Sequence, residues 1–254
     1  MQTALSFIGM DAVTLFWIVA VFLLAGCVKG VIGLGLPTVA VGLLSLLMSP
    51  VQAAALLIVP SLVTNVWQLL AGGSFMFLLR RLWSMQLGIV AGTLMGMGFM
   101  RGQSGATAFV ALGGALVLYA LAGLAQVNFS VAPVRQKWWS PLVGVATGLI
   151  TAATGVFVIP AVPYLQALGL QRDELIQALG LSFTVSTLAL AVNLGTGGMF
   201  HAANAGVSLL AVLPALAGMY LGQWIRAKVR PETFKRYFFI GLLLLGVELA
   251  ARAW

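Results

Sequence analysis

Long apolar runs follow one another almost without interruption along this chain, and that pattern limits what it can fold into. Ten segments fall at about 12–28, 31–48, 51–70, 82–100, 106–127, 139–154, 156–170, 175–196, 202–225 and 237–252. They show no strict polar/apolar alternation. A helix needs about 20 residues to cross the hydrocarbon core, whereas a barrel strand reads as an alternating segment of about 10. The expected fold is therefore an all-α polytopic membrane protein with about 8–10 membrane segments. Only 7% of the residues are charged and 61% are hydrophobic, against roughly a quarter charged in soluble domains, which excludes a soluble fold.

The net charge of +8 does not point to nucleic acid, because the cations sit in short loops between apolar runs. The single cysteine, Cys27, leaves no intrachain disulfide and no thiol pair for a metal. "LAGC" at 24–27 has the look of a lipoprotein cleavage box, but no Lys or Arg precedes it and the first charge is Asp11. A signal peptide wants a basic start, so the first run is read as a retained membrane segment.

The segments group five and five around "VAPVRQKWW" (131–139), the one polar stretch near the middle. This predicts one transmembrane domain, 1–254, with repeat 1 at about 11–130 and repeat 2 at about 138–254. The halves match in order. Gly26, Gly30 and Gly33 correspond to Gly148, Ala152 and Gly155, and "GGSF" at 72–75 corresponds to "GGMF" at 197–200. Gly92 and Gly96 correspond to Gly218 and Gly222, and Gly113 to Gly241. Loops after odd segments hold Arg80, Arg81, Arg135, Lys137, Arg172, Arg226, Lys228, Arg230, Lys235 and Arg236, while loops after even segments and the tail hold Arg101 and Arg252. That bias places odd loops in the cytoplasm and both termini outside. Trp83, Trp138, Trp139 and Trp224 flank the basic loops as interfacial anchors. An odd number of segments per half makes the duplication an inverted repeat, as in many secondary transporters.

Segments 1–2 and 6–7 are corresponding pairs broken by glycine and proline, at "KGVIGLGLP" (29–37) and "TAATGVFVIP" (151–160). Such breaks at matching places are the best sequence pointer to a transport site. Each pair is expected to dip into the membrane as a hairpin. Helices restarting at Pro37 and after Gly155 would present free N–H groups and a positive dipole end to a shared anion site near the midplane. Lys29 would add a positive charge, with Gly30, Gly33, Gly35, Thr151, Thr154 and Gly155 letting the backbone approach the ligand. The other reading of Lys29 is a helix-end side chain that snorkels to the interface.

Segments 3 and 8 carry polar groups at mid-membrane. Asn65 and Gln68 share a helix face, as do Ser182, Ser186 and Asn193, with Thr184 elsewhere. They are expected to line the cavity; the alternative is hydrogen bonding between helices. Gly92/Gly96 and Gly218/Gly222 read as packing faces. Asp173 and Glu174 suit a helix N-terminus, and Glu248 with Arg252 reads as a surface ion pair rather than a proton relay. His201, the one histidine, cannot make a metal site alone, though it could sense pH.

"GCVKGVIGLGLPTVAVGLL" and "GLITAATGVFVIPAVPYLQALGL", with "TNVWQ" and the paired glycines before segments 4 and 9, resemble the TauE/SafE sulfite exporter family, also called the toluene sulfonate uptake permeases. The resemblance implies a bacterial inner-membrane carrier of sulfite, sulfoacetate, other sulfonates or organic anions. The first motif departs from the family's glycine triplet at Gly33-Leu34-Gly35-Leu36, and the second has Val156 and Phe157 after Gly155.

No paired carboxylates, HExxH, Cys/His cluster or Ser–His pairing lies within the spans, so no enzyme chemistry is expected. Neither a cofactor nor a metal is expected, and the absence of a nucleotide motif leaves an ion gradient or the substrate's own gradient as the energy source. The expected partners are a small anionic substrate and the lipid bilayer, with a proton or sodium ion as candidate coupling ion and a homo-oligomer as candidate assembly. The leading reading is a secondary transporter; the alternative is an anion channel on the same fold.

Overall fold

Helix starts along the chain are set by familiar capping chemistry. The computed structural model describes residues 11–99, 105–125, 130–196 and 202–252, and every regular element among them is a helix. The Asp11 carboxylate accepts from the Thr14 amide at 3.4 Å to open α1 (Ala12–Ile32). Ser49 and Gln52 form a reciprocal capping box before α3 (Pro50–Leu70). Between them lies the short α2 (Leu36–Leu44). The order continues with α4 (Phe75–Met95), α5 (Gly105–Leu124), α6 (Pro133–Thr154), α7 (Ala161–Gln166), α8 (Arg172–Thr196), α9 (Ala202–Leu210), α10 (Val212–Arg226) and α11 (Pro231–Ala251).

Among the described residues, five spans are long and apolar enough to cross a membrane: α1, α3, α5, α8 and Gly206–Arg226, which joins α9 to α10. α4, α6 and α11 are as long but carry cations in their first two turns, at Arg80, Arg81, Arg135, Lys137, Lys235 and Arg236. The stretch 131–139, read as a linker, is largely the first turns of α6. Pro133 fits a first helical turn because its missing N–H is not needed there. "GGMF" (197–200), His201 and Arg101 lie outside the described residues.

Glycine decides which helices touch. A Cβ on Gly26 would lie 2.1 Å from the Ala215 carbonyl oxygen, and one on Gly222 would lie 2.1 Å from that of Cys27. Backbone meets backbone along the whole α1–α10 contact. The α4–α6 contact is built the same way: Gly92 faces Val145 O at 2.2 Å and Gly148 faces Ile89 O at 2.3 Å. In lipid there is no hydrophobic drive between helices, so such close approach and its dispersion contacts hold the pairs together. Both glycine pairs read as packing faces do pack. Gly113, however, meets Gly246 and Ala250, while its sequence match Gly241 faces open space. α5 thus packs on α11, and α3 on α8.

The two glycine breaks have different neighbours. Gly33 and Gly35 take left-handed backbone, φ 80° and 104°, which an L side chain resists. The Gly33 carbonyl accepts from Gln68, which also bonds Ile176 O in the first turn of α8. Gln177, beside it, bonds Gly72 O and the Ser74 amide, where α4 begins. Gly155, φ 71°, follows Ala152, whose methyl abuts Gly96 at the far end of α4. About 31 Å of helix, at 1.5 Å per residue, separates the two ends of α4. Their first arms, α1 and α6, are helices of 21 and 22 residues.

The basic residues gather at the first end. Arg81 donates to Leu168 O at 3.0 Å and to Gln136 at 3.2 Å. Lys137 and Lys228 sit over the exposed rings of Trp138 and Trp224. The Glu248–Arg252 pair is a surface ion pair at 3.0 Å, and Glu174 caps α8 by accepting from the Gln171 amide.

Candidate functional site

Lys29 sits one turn before the end of α1, on the side facing α3, and is only 3% exposed. It does not snorkel. Its ammonium donates to Thr64 Oγ1 at 3.1 Å and to Asn65 Oδ1. The Thr64 hydroxyl spends its own proton on Pro60 O at 2.8 Å, so its lone pair is free to receive Lys29. Asn65 Nδ2 continues to Ser61 Oγ at 2.9 Å and Thr187 Oγ1 at 3.4 Å, and those two hydroxyls bond at 3.2 Å. A polar chain thus runs from α1 through α3 into α8, near the middle of both crossing helices.

All of Lys29's partners are neutral. Asp11, Asp173, Glu174, Glu232 and Glu248 are the acids of the chain, and the one ion pair among the described residues is Glu248 with Arg252. A lysine at the bilayer centre costs about 2.5–3.5 kcal/mol on insertion scales. Two neutral acceptors recover part of that cost without neutralising the charge. The arrangement suits a cation that awaits an anion.

A family model described as Sulfite exporter TauE/SafE matches residues 18–249, which takes in Lys29, its partners and both glycine breaks. The chain belongs to the TauE/SafE sulfite exporter family. No curated protein and no solved structure matches it. It is thus a multi-pass membrane protein of a transporter family.

Within this TauE/SafE chain the other expected site residues separate into distinct roles. Gln68 ties the first break to α8 through Gly33 O and Ile176 O, at 3.0 and 2.9 Å, and its own oxygen is buried without a partner among the described residues. Gly30 packs on Met219 and Gly222 of α10, and Gly35 on Val28 and Phe238; neither faces Lys29's partners. Nothing lies within 4 Å of where a Gly33 Cβ would sit. The Thr151 and Thr154 hydroxyls return to carbonyls of their own helix, Thr147 O and Ile150 O, at 2.7 Å each. After Gly155, Val156, Phe157 and Val158 are fully buried among apolar side chains, and α7 has six residues. The immediate surroundings of the second break are thus apolar.

Ser182 and Ser186 turn toward α4. Ser182 accepts from Gln86 Nε2 at 3.0 Å, and Asn193 on the same face donates to Thr93 O at 3.4 Å. Ser186 Oγ and Gln86 Oε1 are buried without partners among the described residues. The α8 residue that joins the Lys29 chain is Thr187, roughly 100° around the helix from Ser186. Ser61, Thr64, Thr187 and Gln86 were missed in the sequence. Ser61 and Asn65 are spaced four apart, which was a readable signal; Gln86 is a lone amide in an apolar run and gave none.

Removing the Gln68 amide should loosen the first break. Gln68→Leu deletes two hydrogen bonds to carbonyls, each contributing about 0.5–1.5 kcal/mol. Amide hydrogen exchange across 33–39 should rise by about tenfold in that variant, with α5 and α11 unchanged.

Proposed function

We propose that this protein is a secondary transporter that moves a small anion, such as sulfite, a sulfonate of the sulfoacetate type or a related organic anion, across the bacterial inner membrane by alternating access. One observation carries the reading: the Lys29 ammonium is buried among neutral oxygens with no acidic partner. An anion binding there would complete its charge balance, with Thr64 and Asn65 holding the amine in place. Gly33, open on its missing-Cβ side, gives the ligand room beside the break.

The pattern of helix contacts supports an inverted repeat. α1 pairs with α10 and α6 with α4, α3 pairs with α8, and α5 with α11. Exchanging each segment with its counterpart in the other half leaves these pairings unchanged. Each half then contributes one broken element, and transporters built on inverted repeats hold their substrate where such elements meet. The bias of arginines and lysines toward the odd-numbered loops supports a cytoplasmic position for those loops, with both termini in the periplasm. A proton or sodium ion would couple transport, and the chain could act within a homo-oligomer.

Exchange in proteoliposomes tests the reading. Labelled sulfite outside should enter faster when unlabelled sulfite is inside, and the initial rate should saturate with concentration. Conductance that rises linearly with concentration and ignores the trans side would replace the carrier with a channel on the same fold.

A further inference from the structure

One cavity among the described residues lies apart from the Lys29 chain. It has a volume of about 700 Å³ and sits at the basic end, between the first break, α5, α7 and the start of α11. Its rim carries Lys235, Arg236 and Glu232, all exposed, a net single positive charge. Its inner wall is apolar and aromatic, formed by Ile32, Leu34 and Phe239.

Tyr119 lines that wall, is 2% exposed, and its hydroxyl has no hydrogen-bond partner among the described residues. Its ring is held edge-on against Phe239, with centroids 5.2 Å apart and planes at 81°. Buried hydroxyls are nearly always hydrogen-bonded, and an orphan calls for an explanation. A bound molecule that reaches the wall would supply the missing partner.

Size decides the class of ligand. An oxyanion of four or five heavy atoms, allowed the ~30 Å³ that a water occupies per heavy atom, would fill about a fifth of the space. Pockets of 300–1,000 Å³ lined by apolar and aromatic groups with a few polar ones suit larger molecules. The geometry points to a second binding site here, for an anion that carries an apolar or aromatic body. Lys235 and Arg236 hold the anionic head at the rim, the body lies against Phe239, Leu34 and Ile32, and the Tyr119 hydroxyl bonds a polar atom at the inner end. Glu232 weakens the attraction for a second charge, which favours monoanions. The site does not depend on Lys29 binding anything.

Two sources could supply such a molecule: a dissolved organic anion, or an anionic phospholipid with its head at the rim. The probe is 2-naphthoate, titrated calorimetrically into the purified full-length protein in detergent. Saturable binding is expected. Lys235→Ala with Arg236→Ala should weaken it at least tenfold, and Tyr119→Phe several-fold with no loss of thermal stability, because the hydroxyl has no partner to lose among the described residues. Lys29→Met should leave it unchanged. No binding to the wild type, equal binding by both rim and Tyr119 variants, or loss in Lys29→Met would each overturn the site. Repeating the titration in nanodiscs identifies the source. Binding retained in both phosphatidylcholine and phosphatidylglycerol discs assigns the site to a dissolved anion. Binding lost only with phosphatidylglycerol assigns it to a lipid head group. Either result upholds the site.

Discussion

Lys29→Met is expected to abolish sulfite exchange, a fall of at least about 100-fold, in a protein that still inserts and folds. The reasoning sets two terms against each other. Methionine keeps the length of the side chain and removes a charge that costs about 2.5–3.5 kcal/mol to place at depth. Asn65 and Thr64 lose their donor, at about 1–3 kcal/mol for buried groups left unsatisfied, although Asn65 keeps Ser61 and Thr187 through its amide nitrogen. The terms nearly cancel, so the melting temperature should move by only a few degrees. Transport has no such compensation, because the one buried cation facing the α3–α8 crossing is gone. Lys29→Arg should restore part of the rate. It keeps the charge, but its planar fork fits Asn65 and Thr64 differently from an ammonium. Wild-type exchange by Lys29→Met would show that the cation serves only to tie α1 to α3.

Gly222→Val is expected to have the largest effect on stability. A Cβ there meets the Cys27 carbonyl oxygen at 2.1 Å, with its carbonyl carbon and the Gly30 Cα at 2.9 Å. Backbone on both sides cannot give way as a side-chain tip can, so α1 and α10 would have to separate. Ordinary overpacking costs about 1–3 kcal/mol; here the whole interface lifts, and the protein should fail to accumulate as a monodisperse species in detergent. Gly92→Val, with Val145 O at 2.2 Å, should behave alike at α4–α6. Gly114→Ala is the control. A Cβ there meets nothing within 4 Å, and alanine in a helix is favoured by about 0.5–1 kcal/mol over glycine. Size-exclusion profiles and thermal melts of the three variants check the contrast. A well-behaved Gly222→Val protein would contradict the packing account.

Helix order and the packing glycines were legible because lipid imposes a simple grammar. Apolar length marks spans, cations mark one face, and small residues at four-residue spacing mark close contacts. Gly218/Gly222 reads as a packing face and Gly26 and Gly30 read as part of the first break's repeat, and the structure joins them as two sides of one contact. The location of the breaks was not legible. Glycine and proline show where a helix stops, but nothing local says how deep that stop lies.

The site was half legible for a related reason. Lys29, Asn65 and Gln68 stand out as polar residues in apolar runs. Threonine and serine do not, since they commonly bond their own helix, as Thr151, Thr154 and Thr184 do here. Nothing in the sequence separates those from Thr64 and Thr187, which bond their own helix in the same way and in addition accept from side chains of neighbouring helices. Helical spacing grouped Ser182, Ser186 and Asn193 correctly on one face. It could not say that this face looks at α4 while Thr187 looks at α3.

Equilibrium binding of sulfite to the purified protein measures the central relation without the complications of flux. Wild type and Lys235→Ala should bind it saturably with similar affinity, and Lys29→Met should show no saturable binding over the same range. Sulfite bound by Lys29→Met as tightly as by the wild type would remove the buried ammonium from the transport site.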